Sequence, residues 1–175
     1  MELTPRDEQR YAKLLPWLSH PFAITDRLRD RTGEAVLQPL NQGWIAPDAW
    51  DSQHISLDKP SIWRREIIML AHQQVCWYAR SLFPEMTYRN HPAFFAALKE
   101  VSLGDLIFTT PGITQDSLVH YAIHQDSLEY QWLPEVAKPK PAQVLWLRFA
   151  TYRMASLDPF YLLEIFLPAV EQYCE

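Results

Sequence analysis

Close to the C-terminal end runs "PFYLLEIFLP", Pro159–Pro168. Strand side chains alternate between two faces. Phe160, Leu162, Glu164 and Phe166 therefore share one face, and Tyr161, Leu163, Ile165 and Leu167 share the other. Both faces are apolar. Such a strand needs cover on both sides, which makes it a central strand of a layered protein. Glu164 then has no solvated side. An isolated ionised carboxylate there would cost several kcal/mol, so Glu164 must be paired, protonated, or turned toward a cavity that holds a polar ligand.

A second stretch, "SIWRREIIML" at Ser61–Leu70, poses the same problem with the opposite sign. Trp63, Arg65, Ile67 and Met69 share one face; Arg64, Glu66, Ile68 and Leu70 share the other. Arg64 and Glu66 are expected to fray toward solvent and to pair across a strand. Arg65 stands among Trp, Ile and Met. The simplest solution places Arg65 and Glu164 in one buried pocket, because a guanidinium stays charged when buried and grips carboxylates with two parallel bonds. A plain ion pair inside the core remains the alternative reading of the same pattern.

The rest of the chain reads as follows. "TPRDEQRYAKLLPWL" has a Thr cap, Pro at the first helical position and early acidic residues, predicting a helix over Thr4–Leu15 ended by Pro16. A second helix is expected at Ile24–Arg31, stopped by Gly33, and a strand over "EAVLQPLNQGWI", kinked or at an edge because of Pro39. A Pro- and Asp-bearing loop follows. Ser61–Leu70 and Val75–Phe83 form a hairpin around "HQQ". Pro92–Val101 is a helix, "LGDLIFTTPGITQ" a turn or short helix, and "ITQDSLVHYAI" a strand. "LEYQWLPEVAKPKPAQ" reads as a connecting loop. Val144–Met154 and Phe160–Leu167 make the last hairpin. Long βα crossovers are missing, which disfavours a parallel sheet. The expectation is one α+β domain over residues 1–175: a single antiparallel sheet of about six strands, with helices covering one face and forming flaps over a buried ligand pocket.

Composition narrows the function. Sixteen basic against 21 acidic residues argue against general nucleic-acid binding, which needs a basic surface to displace counterions. The Trp residues are then core anchors before they are stacking platforms for bases. Two distant cysteines, Cys76 and Cys174, read as free thiols. His120 and His124 lie in an expected strand, so no metal site is expected. No stretch approaches the roughly 18 apolar residues of a membrane span, and the charged N-terminus lacks a secretory pattern. A cytoplasmic location is expected.

With these residues in place, the chain resembles the chorismate pyruvate-lyase family from about Ile24 to Ala169. The pieces fall in the family's order: "ITDRLR", a strand ending "NQGW", "WRREIIML", a return strand ending "SLFP", "LGDLIF", "LWLRF" and "LLEIFLPA". The resemblance implies a six-stranded antiparallel sheet with helical flaps. It implies a lyase that converts chorismate to 4-hydroxybenzoate and pyruvate, opening ubiquinone synthesis, without metal or organic cofactor. The partners it implies are chorismate and the product; a monomer is expected, and slow departure of an aromatic product from a closed pocket predicts product inhibition. By position, the ligand-binding Arg falls on Arg65 and the active-site Glu on Glu164. Flap backbone contacts fall near Ile24 and at Leu103 beside Gly104. Three places depart from the family pattern: Gln115 replaces a usual Arg, Val119 an acidic residue, and "ATYRMASLDPF" after "LWLRF" lacks a double Arg. A non-catalytic binding domain for an aromatic carboxylate, of the same fold, is the alternative. About 20 residues precede the resemblance, too few for a DNA-binding winged helix.

Overall fold

The computed structural model describes residues 1–21, 23–99 and 101–174. Six strands form one sheet: β1 (Val36–Ile45), β2 (Ile62–Ala71), β3 (Gln74–Pro84), β4 (Thr114–Ile123), β5 (Leu145–Arg153) and β6 (Pro159–Phe166). Their order is β1-β2-β3-β6-β5-β4, with every neighbouring pair antiparallel. The β2–β3 connection is a two-residue turn in which both His72 and Gln73 have positive φ, the conformation that matches strand twist. β3 and β6 sit at the centre. The apolar burial of β6 on both faces follows from that position.

Among the described residues, seven α-helices surround the sheet: α1 (Pro5–Leu18), α2 (Ile24–Thr32), α3 (Ala49–His54), α4 (Glu85–Asn90), α5 (Pro92–Leu98), α6 (Leu103–Thr109) and α7 (Leu128–Gln131). Two hydrophobic clusters follow the strand alternation. One joins Phe160, Leu162 and Phe166 of β6 to Ile67, Met69, Trp77 and Phe83, under α1, α2, α5 and α6. The other joins Tyr161, Leu163, Ile165 and Leu167 to Ile68, Tyr78 and Leu147, under α3, α7 and the short 3-10 turn Glu135–Ala137. Helices thus lie on both faces, and the flaps belong to the first.

The sequence misled in three places. α1 does not stop at Pro16 but runs on to Leu18. Trp17 and Leu18 are buried in the first cluster, and that burial outweighs the backbone bond that proline removes. α3 was read as loop, although Asp48 and Asp51 cap it reciprocally. The segment read as a connector after β4 contains α7 and the 3-10 turn. These last two omissions matter because both elements cover the second face. Glu66, expected at solvent, is buried there. Its carboxylate accepts from Tyr78 Oη at 2.5 Å and from Arg80 Nη2 at 2.8 Å. The cross-strand pairing was right in kind, but the main partner is Arg80, while Arg64 stays at 3.9 Å. Cys76 and Cys174 are free and buried. Among the described residues no three metal-binding side chains cluster, and no helix is long and apolar enough to cross a membrane.

Candidate active site

The strand registers lay out the first face as a grid. One row across the sheet is Arg65 (β2), Ser81 (β3), Leu162 (β6) and Ala150 (β5). The next is Ile67, Ala79, Glu164 and Arg148. Arg65 and Glu164 are thus two strands and one row apart, roughly 10 Å across and 7 Å along the sheet at the level of the backbone. Small side chains, Ala79 and Ser81, lie between them. Long charged side chains at the corners of a floor of small ones leave a hollow. It is lined by Arg65, Ser81, Glu164, Arg148 and Tyr152 from the sheet. Ile24 of α2 and Leu103 and Gly104 of α6 line its other wall. The cavity volume is about 40 Å³, against the roughly 10–15 Å³ that one buried water needs.

Arg65 and Glu164 share this cavity, as the sequence suggested, but they are not each other's partner. Glu164 is 5% exposed and accepts from Arg148 Nη1 at 2.5 Å. Arg148, 1% exposed, also donates through Nη2 to the backbone carbonyl of His20, in the connection between α1 and α2. Burial raises the Glu164 pKa above the usual carboxylate range, and the opposing pull of Arg148 does not cancel this. The 7% exposed Arg65 is different. Among the described residues it has no hydrogen bond or ion pair. Burial alone acts on it, and lowers its pKa. Its nitrogens are not sealed in the packing. A buried guanidinium with open nitrogens and no protein anion beside it is costly to keep.

The two helices that roof the cavity meet closely. A Cβ built on Gly104 would lie 2.8 Å from Ala23 Cβ, so α6 can rest against the start of α2 only with glycine there. Both helices present their first turns to the cavity through Ala23, Ile24, Thr25, Ser102, Leu103 and Gly104. The first N–H groups of a helix lack intrahelical partners, and these turns are where flap donors were expected.

Two of the three departures lie away from this cavity. Gln115 and Val119 are on β4, an edge strand; both are exposed, Val119 by 48%, and neither lines the hollow. The third reaches it, because "ATYRMASLDPF" puts Tyr152 in the wall. Arg148 was overlooked as a site residue. The signal was present: it sits between Leu147 and Phe149 in "LWLRF", as apolar a run as the one that exposes Arg65.

Fold and site define a class: an open antiparallel α+β sheet that keeps a guanidinium without a protein partner among the described residues in a roofed hollow. Residues 5–173 match the family described as chorismate lyase, and the chain belongs to that family. The probable chorismate pyruvate-lyase of Aromatoleum aromaticum is 26% identical over 91% of this chain and 86% of its own. The chorismate pyruvate-lyase of Serratia proteamaculans is 26% identical over 93% and 82%. Among solved structures, the effector domain of PhnF from Mycobacterium smegmatis shares the fold, with a TM-score of 0.56 at 12% identity, over 85% of this chain and 90% of that one.

Proposed function

We propose that this chain is a chorismate pyruvate-lyase, releasing 4-hydroxybenzoate and pyruvate and so supplying the aromatic acid from which ubiquinone is made. The observation that carries the reading is Arg65: a buried guanidinium without a partner among the described residues, sharing a roofed cavity with Glu164 in a chain of this family.

The reaction asks little covalent chemistry of the protein. The bond between ring carbon and ether oxygen breaks, and the neighbouring ring C–H gives up its proton. The ring becomes aromatic, and the departing enolpyruvate gains a proton at its methylene carbon to become pyruvate. Aromatisation drives the step, so holding, desolvating and helping the ether oxygen leave are what remain. Arg65 clamps the ring carboxylate. First-turn N–H groups near Ile24, and at Leu103 and Gly104, add neutral donors. Glu164, with its pKa raised by burial, carries a proton at neutral pH more readily than a solvated carboxyl and offers it to the ether oxygen. Arg148 holds Glu164 in place from the neighbouring strand. Substrate and product are the small-molecule partners, in a cytoplasmic enzyme that works as a monomer.

The test is direct. Protein is mixed with chorismate, and 4-hydroxybenzoate absorbance and pyruvate are followed. Turnover supports the lyase; tight binding of 4-hydroxybenzoate without turnover makes the chain a carrier of aromatic carboxylates. Glu164→Gln then tests proton transfer. A loss of kcat is expected, and a variant that keeps kcat and loses only affinity would leave Glu164 as a hydrogen-bond partner of the ring hydroxyl.

A further inference from the structure

Tyr152 is a cavity group that the reading above leaves without a task. It lies on β5, four residues beyond Arg148 and in register with Phe160 of β6. Its ring stacks on Phe160, with centroids 5.1 Å apart and planes 16° from parallel. Phe160 stacks in turn on Phe83. The phenol is therefore fixed in direction by two layers of aromatic packing. Tyr152 is buried and lines the cavity with Glu164 and Arg148. Yet its hydroxyl has no hydrogen-bond partner among the described residues, and it is not sealed in the packing either. Buried phenols ordinarily find a partner. An unused donor at a cavity wall points to a ligand oxygen. The phenol is a donor at every working pH, since burial pushes its pKa up to about 12.

The ligand chemistry identifies the oxygen. A ring acid that still carries its enolpyruvyl arm has two carboxylates. The cavity has two guanidiniums, but Arg148 is committed by hydrogen bonds to Glu164 and to the His20 carbonyl, and of the two Arg65 is the one left open among the described residues. The arm's carboxylate therefore meets a wall whose open donor is neutral. Tyr152 is on β5, three strands from Arg65, and its row lies on the other side of the Arg65 row from Glu164, so an arm that turns along the sheet away from Glu164 meets it. Resting on the lyase reading, we infer that the Tyr152 hydroxyl donates a hydrogen bond to the carboxylate of the substrate's enolpyruvyl arm, and so tells substrate from product. The product has no arm and makes no use of this residue. A neutral donor at this place also eases release: once the arm departs, no unpaired charge remains to hold the pyruvate.

The experiment compares wild type with Tyr152→Phe, which keeps the ring and removes only the hydroxyl. The expected result is a KM for chorismate raised about tenfold, equivalent to about 1.4 kcal/mol, with the inhibition constant of 4-hydroxybenzoate unchanged within twofold. An unchanged KM overturns the inference. So does an equal loss of product affinity, which would place the hydroxyl on the ring, and so does a shifted pH profile of kcat without a KM change, which would place it on Glu164. A binding measurement stands apart from turnover. A 4-hydroxybenzoate carrying a carboxymethyl ether on the neighbouring ring carbon should bind wild type about tenfold more tightly than the Phe variant, while 4-hydroxybenzoate itself binds both alike. If wild type fails to turn over chorismate, the lyase reading falls while this binding comparison still decides the role of Tyr152. Equal affinity of both proteins for the ether would overturn it.

Discussion

Arg65 should lower the stability of the empty protein, because its charge is taken out of water with no protein anion beside it. Function and stability then pull in opposite directions at one side chain. Replacing it with methionine, of similar reach and no charge, should raise the apo melting temperature by an amount equivalent to about 1 kcal/mol. The same change should abolish binding of 4-hydroxybenzoate in calorimetric titration. A variant that melts lower and still binds would mean that Arg65 is satisfied inside the protein. Glu164 makes a second residue-scale prediction through pH. Its folded pKa is raised above that of the unfolded chain, so the folded state binds the proton more tightly. The stability this contributes is fully present below the ordinary carboxylate range, about 4.3, and is lost as pH rises through the folded value. Glu164→Gln removes that dependence. Its stability relative to wild type should climb as pH rises above about 4.3, whatever the offset between the two proteins. A flat difference would mean that Arg148 has returned Glu164 to its ordinary pKa. Period-two alternation made both residues legible, since a charge inside an otherwise apolar face stands out. It did not identify partners: registers join Glu164 to Arg148 on β5, and no local pattern tells which strand lies alongside.

At the scale of elements, α2 and α6 meet over the cavity, and their seam is expected to act as its lid. Gly104 carries no side chain at the point where α6 approaches Ala23. Gly104→Ala would bring two Cβ atoms to 2.8 Å, and overpacking of this kind costs about 1–3 kcal/mol. The closed, ligand-holding form bears that strain, and an opened seam does not. Affinity for 4-hydroxybenzoate should fall about tenfold, with product dissociating faster in stopped flow. Ala23→Gly in the same chain should restore it, because the second change removes the colliding atom. No loss in the single variant, or no recovery in the double, would mean the two helices do not act as one lid. These elements are unevenly legible in the sequence. α2 is legible with its Gly33 stop, and α6 only as a turn or short helix. α3 and α7 escape the sequence because each is only a few residues long, with little periodicity to read.

Those two short helices decide how the whole molecule divides its charges. One face of the sheet keeps an open guanidinium under the roofing helices; the other closes its charges among themselves. Glu66, Tyr78 and Arg80 form a buried network there, with Arg80 lying 3.9 Å from the centre of the Trp132 ring and 3.6 Å from Asp48. α3 adds Trp50, whose indole donates to Glu129, and Tyr121 donates to the same oxygen. Burial pushes the Glu66 pKa up, but hydrogen bonds from Tyr78 and the nearby Arg80 outweigh it and the net shift is downward. The network is therefore a structural clasp in its ionised form, and the sheet separates it from the ligand. Glu66→Gln leaves Arg80 short of its main anion and should cost about 3 kcal/mol, a fall of roughly 6–12 °C in melting temperature for a chain of this size. Added 4-hydroxybenzoate at a hundred times its dissociation constant should then stabilise both wild type and Glu66→Gln by the same amount, about 2.7 kcal/mol. It should leave Arg65→Met unmoved. Thermal melts of the three proteins with and without ligand separate the two faces. A ligand response that shrinks in Glu66→Gln would show that charge on one side of the sheet reaches the cavity on the other.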